Sequence, residues 1–319
     1  MEEKEIINVK SWMDFGDCNY EIDHDDDSIP DSGVVYCNIE HIHKFFRKCL
    51  DTSNKYIVVS GFSDYGFALQ EEHPVAMDMK KWLPFIDQSI DKSIGYKPLT
   101  IPPRCDPETC FISDKYSIKC YAFTYSTVPD IPDNVVKWYL VNSMVDHEKI
   151  TSIPLGVGKD AGKDICSTLS EPVRSFGLRN FEHIVYLNWQ DNTIERANLK
   201  FQFKQMNPDW VTIVEEPKPY TEYLKDLSDH AFALCPKGNG VDCYRVLECI
   251  YAGCIPIVRD EPAYEYLREL PHLRVKNWSD LTPELLKSKL EEVKSTEYNL
   301  DMANLSYWKR LIEDSRNLL

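Results

Sequence analysis

The stretch AFALCPKGNGVDCYRVLECIYAGCIPIV, residues 231–258, decides the fold. Ala231 to Cys235 is an apolar run too short for a helix, which predicts a buried strand. Pro236-Lys237-Gly238-Asn239-Gly240 follows, two glycines about an asparagine, a turn that can take positive φ and let a ligand approach the backbone. Asp242 is placed to cap the next helix, on which Arg245, Glu248 and Ala252 repeat at three- and four-residue spacing and share a face. Gly253 ends that helix, and Cys254 to Val258 is a second buried strand. The order strand, glycine turn, helix, strand puts the turn at the carboxyl end of the first strand.

A helix N-terminus carries unpaired N–H groups and a partial positive charge, which suits phosphate. One turn in, Arg245 offers a bidentate cation to phosphate oxygens. One turn further, Glu248 can accept hydrogen bonds from ribose hydroxyls. Taken alone the unit is equally an ordinary βαβ crossover with a turn glycine and a surface Arg–Glu pair, since a lone glycine loop is a weak signal. It is neither GxGxxG nor GKS/GKT.

Outward from this unit, the rest of the chain alternates in the same way. On the N-terminal side the pattern predicts a helix over 36–50, packed through Ile42, Phe45, Phe46 and Leu50. A strand at Tyr56–Ser60 runs into Gly61 and Asp64. Ligands gather outside the carboxyl ends of strands in an open α/β sheet, so Asp64 is a carboxylate in a useful place. The alternative is that it closes a turn or caps a helix. Further elements are a helix over 82–94, a proline-rich loop over 98–107, a strand over 117–125 and a helix over 134–140. Ile150 to Gly156 is a strand end, with Gly156 and Gly158 allowing a bend. The polar stretch 159–182 marks a domain boundary. After it come a strand at His183–Asn188, a helix capped by Thr193 with Leu199, Phe201 and Phe203 toward the core, and a strand at Trp210–Val214. A helix over 220–228 leads into the opening stretch. Two more helices, at 262–267 and 282–293, precede a terminal one; Pro283 and Glu284 sit in the first turn of the second. The expected architecture is α/β, two doubly wound Rossmann-like domains facing across a cleft.

Composition narrows the partners. The chain has 319 residues, 43% of them hydrophobic, enough for two domains with sizeable cores. Its 52 acidic against 36 basic residues, a net charge of −16, argue against nucleic acid. The acidic string Asp23 to Asp27 lies in a polar lead-in and reads as a solvated charge run, not a metal site. The cysteines number 11 and none form a CxxC pair. Cys235, Cys243, Cys249 and Cys254 fall inside apolar elements as small hydrophobes, and Cys105 and Cys110 lack partners at zinc spacing, so reduced thiols and no metal are expected. No run has the length of a membrane span, and MEEKEIINVK has no signal-peptide pattern.

The residues also carry a resemblance. FALCPKGNGVDCYRVLECIYAGCIPIV resembles the donor-binding segment of exostosin-like glycosyltransferases, in which a CP.GNG.D..R..E....GCIP pattern recurs. YLNWQDNTIERANLKFQF (186–203), DWVTIVEE (209–216), VPDIPDNVVKWYLVNSMVDHEKITSIPLGVGK (128–159) and VVSGFSDYG (58–66) resemble stretches of the same family in the same order. The resemblance implies a GT-B fold, with acceptor bound by residues 1–165, nucleotide-sugar by 166–295, and a C-terminal helix within 296–319 packing back on the first domain. It implies an inverting, metal-independent transfer without cofactor, from a UDP-sugar (a GDP-sugar is the alternative) to a hydroxyl of a glycan acceptor. Asp64 would be the general base, with Ser63 and Tyr65 near the acceptor. Arg196 and Arg245 would stabilise the leaving diphosphate, and Asn188, Lys237, Gly238, Asn239, Gly240, Asp242 and Glu248 would complete the donor site, Glu248 on the ribose. Golgi members of this family carry a membrane anchor; its absence here points to a soluble, cytoplasmic enzyme of the viral or bacterial kind. Two departures are Tyr244, where histidine is frequent, and Val246-Leu247, where an aromatic-containing pair is usual. The competing class is a non-catalytic module that binds nucleotide-sugar or glycan, lacking a carboxylate at the acceptor; a phosphohydrolase is disfavoured because no nucleophile motif stands in the right context.

Overall fold

The computed structural model describes residues 2–20, 29–61, 66–68, 125–127, 131–169, 183–191, 193–238 and 240–319. Its strands are β1 (Cys18–Asn19), β2 (Gly33–Tyr36), β3 (Tyr56–Ser60), β4 (Gly66–Ala68), β5 (Tyr125–Thr127), β6 (Val135–Val141) and β7 (Ile150–Ile153) in the first half. The second half has β8 (His183–Leu187), β9 (Val211–Ile213), β10 (His230–Leu234), β11 (Ile255–Arg259) and β12 (Leu273–Val275). One five-stranded sheet runs β1-β2-β3-β6-β7, a second runs β12-β11-β10-β8-β9, β4 pairs with β5, and every pairing is parallel. Two parallel sheets with flanking helices make the α/β architecture that was expected.

Parallel sheets are covered on both faces, which is why β3 and β10 are buried at every position and apolar at all but Ser60 and His230. In the first sheet, Val35, Tyr56, Val58, Trp138 and Leu140 face the helix α1 (Ile42–Cys49), packing on Ile42, Phe45, Phe46 and Cys49. Their neighbours Val34, Tyr36, Ile57, Val59, Tyr139 and Val141 point the other way, into a core that includes Trp12, Trp308 and residues of the second half. In the second half, α2 (Ala161–Thr168) precedes the sheet, and α3 (Ile194–Met206), α4 (Tyr220–Asp229) and α5 (Tyr244–Ala252) follow β8, β9 and β10 in turn. Leu199 and Phe203 of α3 and Leu286 and Val293 of α6 (Pro283–Ser295) cover one face of this sheet. Tyr223, Leu224 and Leu227 of α4 and Val246 and Ile250 of α5 belong to the larger core on the other. Each fully buried Leu, Val or Phe side chain contributes about 1.5–3 kcal/mol relative to exposure.

The order of the second sheet places its topological reversal between β8 and β10. In a doubly wound sheet the crevice outside the strand ends at that point is where a ligand binds. The loops after β8 and β10, and the first turns of α3 and α5, flank it.

Several local expectations are corrected. Asn134 to Leu140 was expected as a helix and is instead largely the inner strand β6, paired with β3 and β7: its β-branched and aromatic residues are mostly buried, so no alternation marks them. The first helix begins at Ile42 rather than Tyr36, which ends β2. Phe201 was expected in the core and is 63% exposed, because α3 presents Leu199 and Phe203 to the sheet. Residues 262–267 form a 3-10 helix. Part of the stretch expected as a boundary, 159–182, is helix α2, with Ile165 buried. Thr193 does cap α3, accepting from Arg196 N, and Gly253 ends α5 in the left-handed region at φ 75°. The elements expected at 82–94, 98–107 and 117–124, and the acidic string 23–27, lie outside the described residues.

The halves meet through specific contacts. Gly156 takes φ +93° in a bend where a Cβ would lie 2.7 Å from the backbone of Asn8, and Val157 exchanges hydrogen bonds with Ile7 and Val9. Tyr251 on α5 accepts from Ile7 N and donates to Ala303 O. Ser152 donates to Ala263 O. After α6, the helix α7 (Leu305–Asp314) returns to the first half, where Tyr139 Oη contacts Leu311 O and Ser315 Oγ. Among the described residues no helix is long and apolar enough to cross a membrane.

Candidate functional site

At the switch point the loop from Cys235 to Cys243 leaves β10, crosses the strand ends and enters α5. Gly238 N donates to Gly240 O at 3.0 Å, which closes the turn. The turn could have used positive φ, but Gly238 does not. What Gly238 supplies is room: a Cβ there would stand 3.1 Å from Arg196 Nη2. Arg196, in the first turn of α3, lies beneath the loop, 9% exposed, and donates from Nε and Nη2 to Pro236 O at 3.3 and 3.1 Å. Its first task is thus to hold the loop. Burial lowers its pKa from the ordinary arginine value, and the charge of Arg245 adds to that lowering, so the two guanidiniums are close enough to repel.

Arg245 differs in one respect. It is half-buried, its Nε is shielded from solvent, and its guanidinium makes no hydrogen bond or ion pair among the described residues. Its Cζ lies 5.9 Å from the centroid of the Tyr223 ring. Burial works against its charge, but Tyr223, Cys243, Cys235 and Glu248 outweigh it and hold the pKa above the usual value. A shielded guanidinium nitrogen without a hydrogen-bond partner is costly, and such groups are normally satisfied. An anion at the start of α5 would satisfy it.

Glu248 is 7% exposed and held by two residues that sequence reasoning missed: Tyr220 Oη and Tyr223 Oη of α4 donate to Oε1 and Oε2 at 2.9 and 2.7 Å. Burial raises its pKa, opposed by Tyr223, Arg245 and Tyr220 in that order. The two tyrosines stand three apart on an amphipathic helix, the spacing that brings side chains to one face; nothing local named their partner. Each carboxylate oxygen keeps a lone pair for a further donor.

The other nominated residues are placed as follows. Asn188, just past β8, donates from Nδ2 to Tyr186 Oη, which in turn donates to Asp226 Oδ2. Lys237 is exposed, its Nζ 3.6 Å from Glu195 Oε2. Asp242 was expected to cap α5 and does not; Cys243 holds the N-cap position. Asp242 is instead buried, its Oδ2 accepting from Leu155 N and Tyr266 Oη and its Oδ1 from Cys243 N, so Oδ2 ties the loop to the first half through Leu155. Ser63, Asp64, Tyr65 and Asn239 lie outside the described residues. Arg259 and Glu261, at the end of β11, were also missed; the strand-end rule that singled out Asp64 applies to them equally.

Cys235, Cys249 and Cys254 are buried and Cys243 half-buried, all as free thiols, with Cys235 Sγ 3.9 Å from Cys249 Sγ. Burial holds the thiols of Cys235 and Cys249 far above the ordinary value, which makes them inert. Among the described residues no group of three or more His, Cys, Asp or Glu is placed to hold a metal ion.

Residues 180–311 match the family model described as the RXYLT1 C-terminal domain. That segment carries the second sheet and every described donor-site residue nominated above, and the match bears out a likeness to a glycosyltransferase family for it. Among solved structures, the chain is similar to UDP-GlcNAc 2-epimerase from Methanocaldococcus jannaschii at 11% identity and a TM-score of 0.29, covering 89% of this chain and 99% of that one. It is also similar to the pneumococcal O-GlcNAc transferase GtfA in complex with UDP and GlcNAc, at 11% identity and a TM-score of 0.35 over 88% of this chain. The match spans 56% of the length of GtfA.

Proposed function

We propose that this chain is a glycosyltransferase that moves a sugar from a UDP-sugar to a hydroxyl of a glycan acceptor. The observation that carries the reading is Arg245, whose Nε is shielded and whose guanidinium makes no hydrogen bond or ion pair among the described residues, at the start of the helix that follows the switch-point strand. An anionic diphosphate there meets that cation and the first N–H groups of α5. Glu248, oriented by Tyr220 and Tyr223, takes the ribose hydroxyls on the next turn. The likeness of residues 180–311 to a glycosyltransferase family supports the same conclusion.

The reaction is a direct displacement with inversion. The acceptor oxygen attacks the anomeric carbon, the bond from that carbon to the diphosphate oxygen breaks, and its electron pair leaves with the diphosphate. The acceptor proton passes to a carboxylate, assigned to Asp64 by the sequence, with Ser63 and Tyr65 beside the acceptor. Arg245, the first N–H groups of α5 and, behind them, Arg196 stabilise the charge that develops on the leaving group. This charge set takes the place of a divalent metal.

Thermal shift with UDP, GDP and their sugar conjugates, with and without EDTA, tests the reading. A ligand at one hundred times its dissociation constant adds about 2.7 kcal/mol to stability. A shift with UDP that survives EDTA is expected. Arg245→Ala should abolish that shift while leaving the unliganded melting temperature little changed, because no hydrogen bond is lost from the fold. Asp64→Asn should keep the shift and lose sugar transfer. No shift with any nucleotide would overturn the reading, and transfer at the wild-type rate by Asp64→Asn would overturn the mechanism.

A further inference from the structure

A second unsatisfied guanidinium lies at the carboxyl end of β11. Arg259 has its Nε shielded from solvent, and its side chain makes no hydrogen bond or ion pair among the described residues. It lines a small pocket of about 120 Å³ with Glu195, Lys237, Val241, Glu261 and Tyr264. The pocket is built rather than incidental. Trp278 Nε1 donates to Glu195 Oε1 at 2.9 Å and fixes that carboxylate, leaving Oε2 3.6 Å from Lys237 Nζ. Tyr264 spends its hydroxyl on Val241 O and walls the pocket. Burial raises the Glu261 carboxyl, while Lys237 and Arg259 draw it down.

The chemistry of this lining selects its ligand. Two carboxylates repel a second anion, and two cations repel a metal ion. Four charged groups in one small space exclude an apolar guest. A neutral polyhydroxylated ring fits, because each hydroxyl both donates and accepts: carboxylates accept from it, and guanidinium and ammonium donate to it. Lys237 belongs both to the switch-point loop and to this pocket. A diphosphate on the loop therefore brings one end of its ligand beside the pocket, and with the nucleoside on the Glu248 side that end is the sugar.

We propose that the pocket between Lys237 and Arg259 is the subsite for the transferred sugar, an uncharged pyranose held through its hydroxyls by Arg259, Glu261 and Lys237. This rests on the donor reading above, and makes Arg259 and Glu261 the residues that set sugar specificity.

The test compares UDP with UDP-glucose, UDP-xylose, UDP-N-acetylglucosamine and UDP-glucuronate by calorimetric titration of the whole chain, with GDP and GDP-mannose in parallel. In the wild type one neutral conjugate should bind roughly tenfold tighter than its bare nucleotide, the discrimination that a few hydrogen bonds supply. Arg259→Gln and Glu261→Gln should each erase most of that advantage while leaving the affinity for the bare nucleotide unchanged. Both side chains are half-exposed, and unliganded melting curves of the two variants establish that each is folded. Equal weakening of nucleotide and conjugate would put Arg259 on the diphosphate and overturn the assignment. So would variants that change neither affinity, a wild type that binds no conjugate better than its nucleotide, or a preference for UDP-glucuronate. In those cases nucleotide binding by the wild type leaves the donor reading standing; no nucleotide binding at all would remove that reading and this one together.

Discussion

Asp242 shows how one residue can be conspicuous in a sequence for one reason and placed by the fold for another. Its position before a helix suggests a cap, yet its carboxylate is only 2% exposed and accepts from Leu155, Tyr266 and Cys243, while its own N–H donates to Asn142. Those bonds favour the charged form, but burial is the larger effect and pushes the carboxyl up from 3.8 to about 6. A folded pKa above the unfolded one means that the fold binds this proton more readily than the open chain does. The stabilising contribution is then complete below about pH 4 and lost as pH rises through about 6. A rise of roughly two units corresponds to about 3 kcal/mol. Urea unfolding of wild type and Asp242→Asn between pH 4 and pH 7 isolates this term, since the other carboxylates cancel in the difference. The stability of the wild type relative to the variant should fall by about 3 kcal/mol across that window. A difference that stays flat would show that Asp242 keeps an ordinary pKa in the fold.

At the scale of the element, the loop between β10 and α5 works because Gly238 and Arg196 share one space. Gly238→Ala places a Cβ 3.1 Å from Arg196 Nη2, the far end of a flexible side chain, so the guanidinium yields by a few tenths of an ångström. The glycine is not in the left-handed region, so the substitution itself strains nothing and costs less than about 1 kcal/mol of stability. Nucleotide affinity should nevertheless fall severalfold, because the loop that Arg196 holds at Pro236 moves with it. A double-mutant cycle with Arg196→Ala checks the coupling: an equal loss in both backgrounds would mean that Arg196 is not the cause. The same segment shows what was legible in advance. β10, the glycine turn, α5 and its end at Gly253 were readable, because short apolar runs and a left-handed glycine are local signals. β6 was not, because a strand mostly buried on both faces loses its alternation and is told from a helix only by its neighbours β3 and β7. Phe201 was misplaced because the sheet, not the helix, decides which face of α3 is inward. In the site, Arg245 and Glu248 stood out by spacing on one helix. Tyr220, Tyr223 and Arg259 did not, because their roles come from elements that meet only in the folded chain.

Across the whole molecule, the return of α7 and of the 3-10 turn after it (Ser315–Leu318) to the first half combines two kinds of contact of unequal weight. Arg316 makes a bidentate pair with Asp17, Nη1 to Oδ2 and Nη2 to Oδ1, each 2.7 Å, and Asp17 also accepts from Val34 N at the head of β2. The hydrogen bond from Arg316 holds the Asp17 carboxyl below its ordinary value, with burial opposing and the Val34 bond assisting. Both partners are solvent-accessible, at 33% and 44%, so water and salt screen the pair and its worth is about 1 kcal/mol or less. Trp308 is different. It is 1% exposed, packs edge-on to Trp12 at 6.1 Å between centroids, and donates its indole N–H to Met302 O at 2.9 Å. Trp12 in turn donates to Pro154 O, beside the bend at Gly156, so the terminal helix, the N-terminal segment and the end of β7 share one buried cluster. Removing an indole from such a site costs about 3–5 kcal/mol through lost burial and the cavity left behind. Trp308→Ala should therefore lower the urea midpoint severalfold more than Arg316→Ala, and only the Arg316→Ala effect should shrink in high salt. Equal losses, both salt-sensitive, would mean that α7 is held by charge and not by the tryptophan pair.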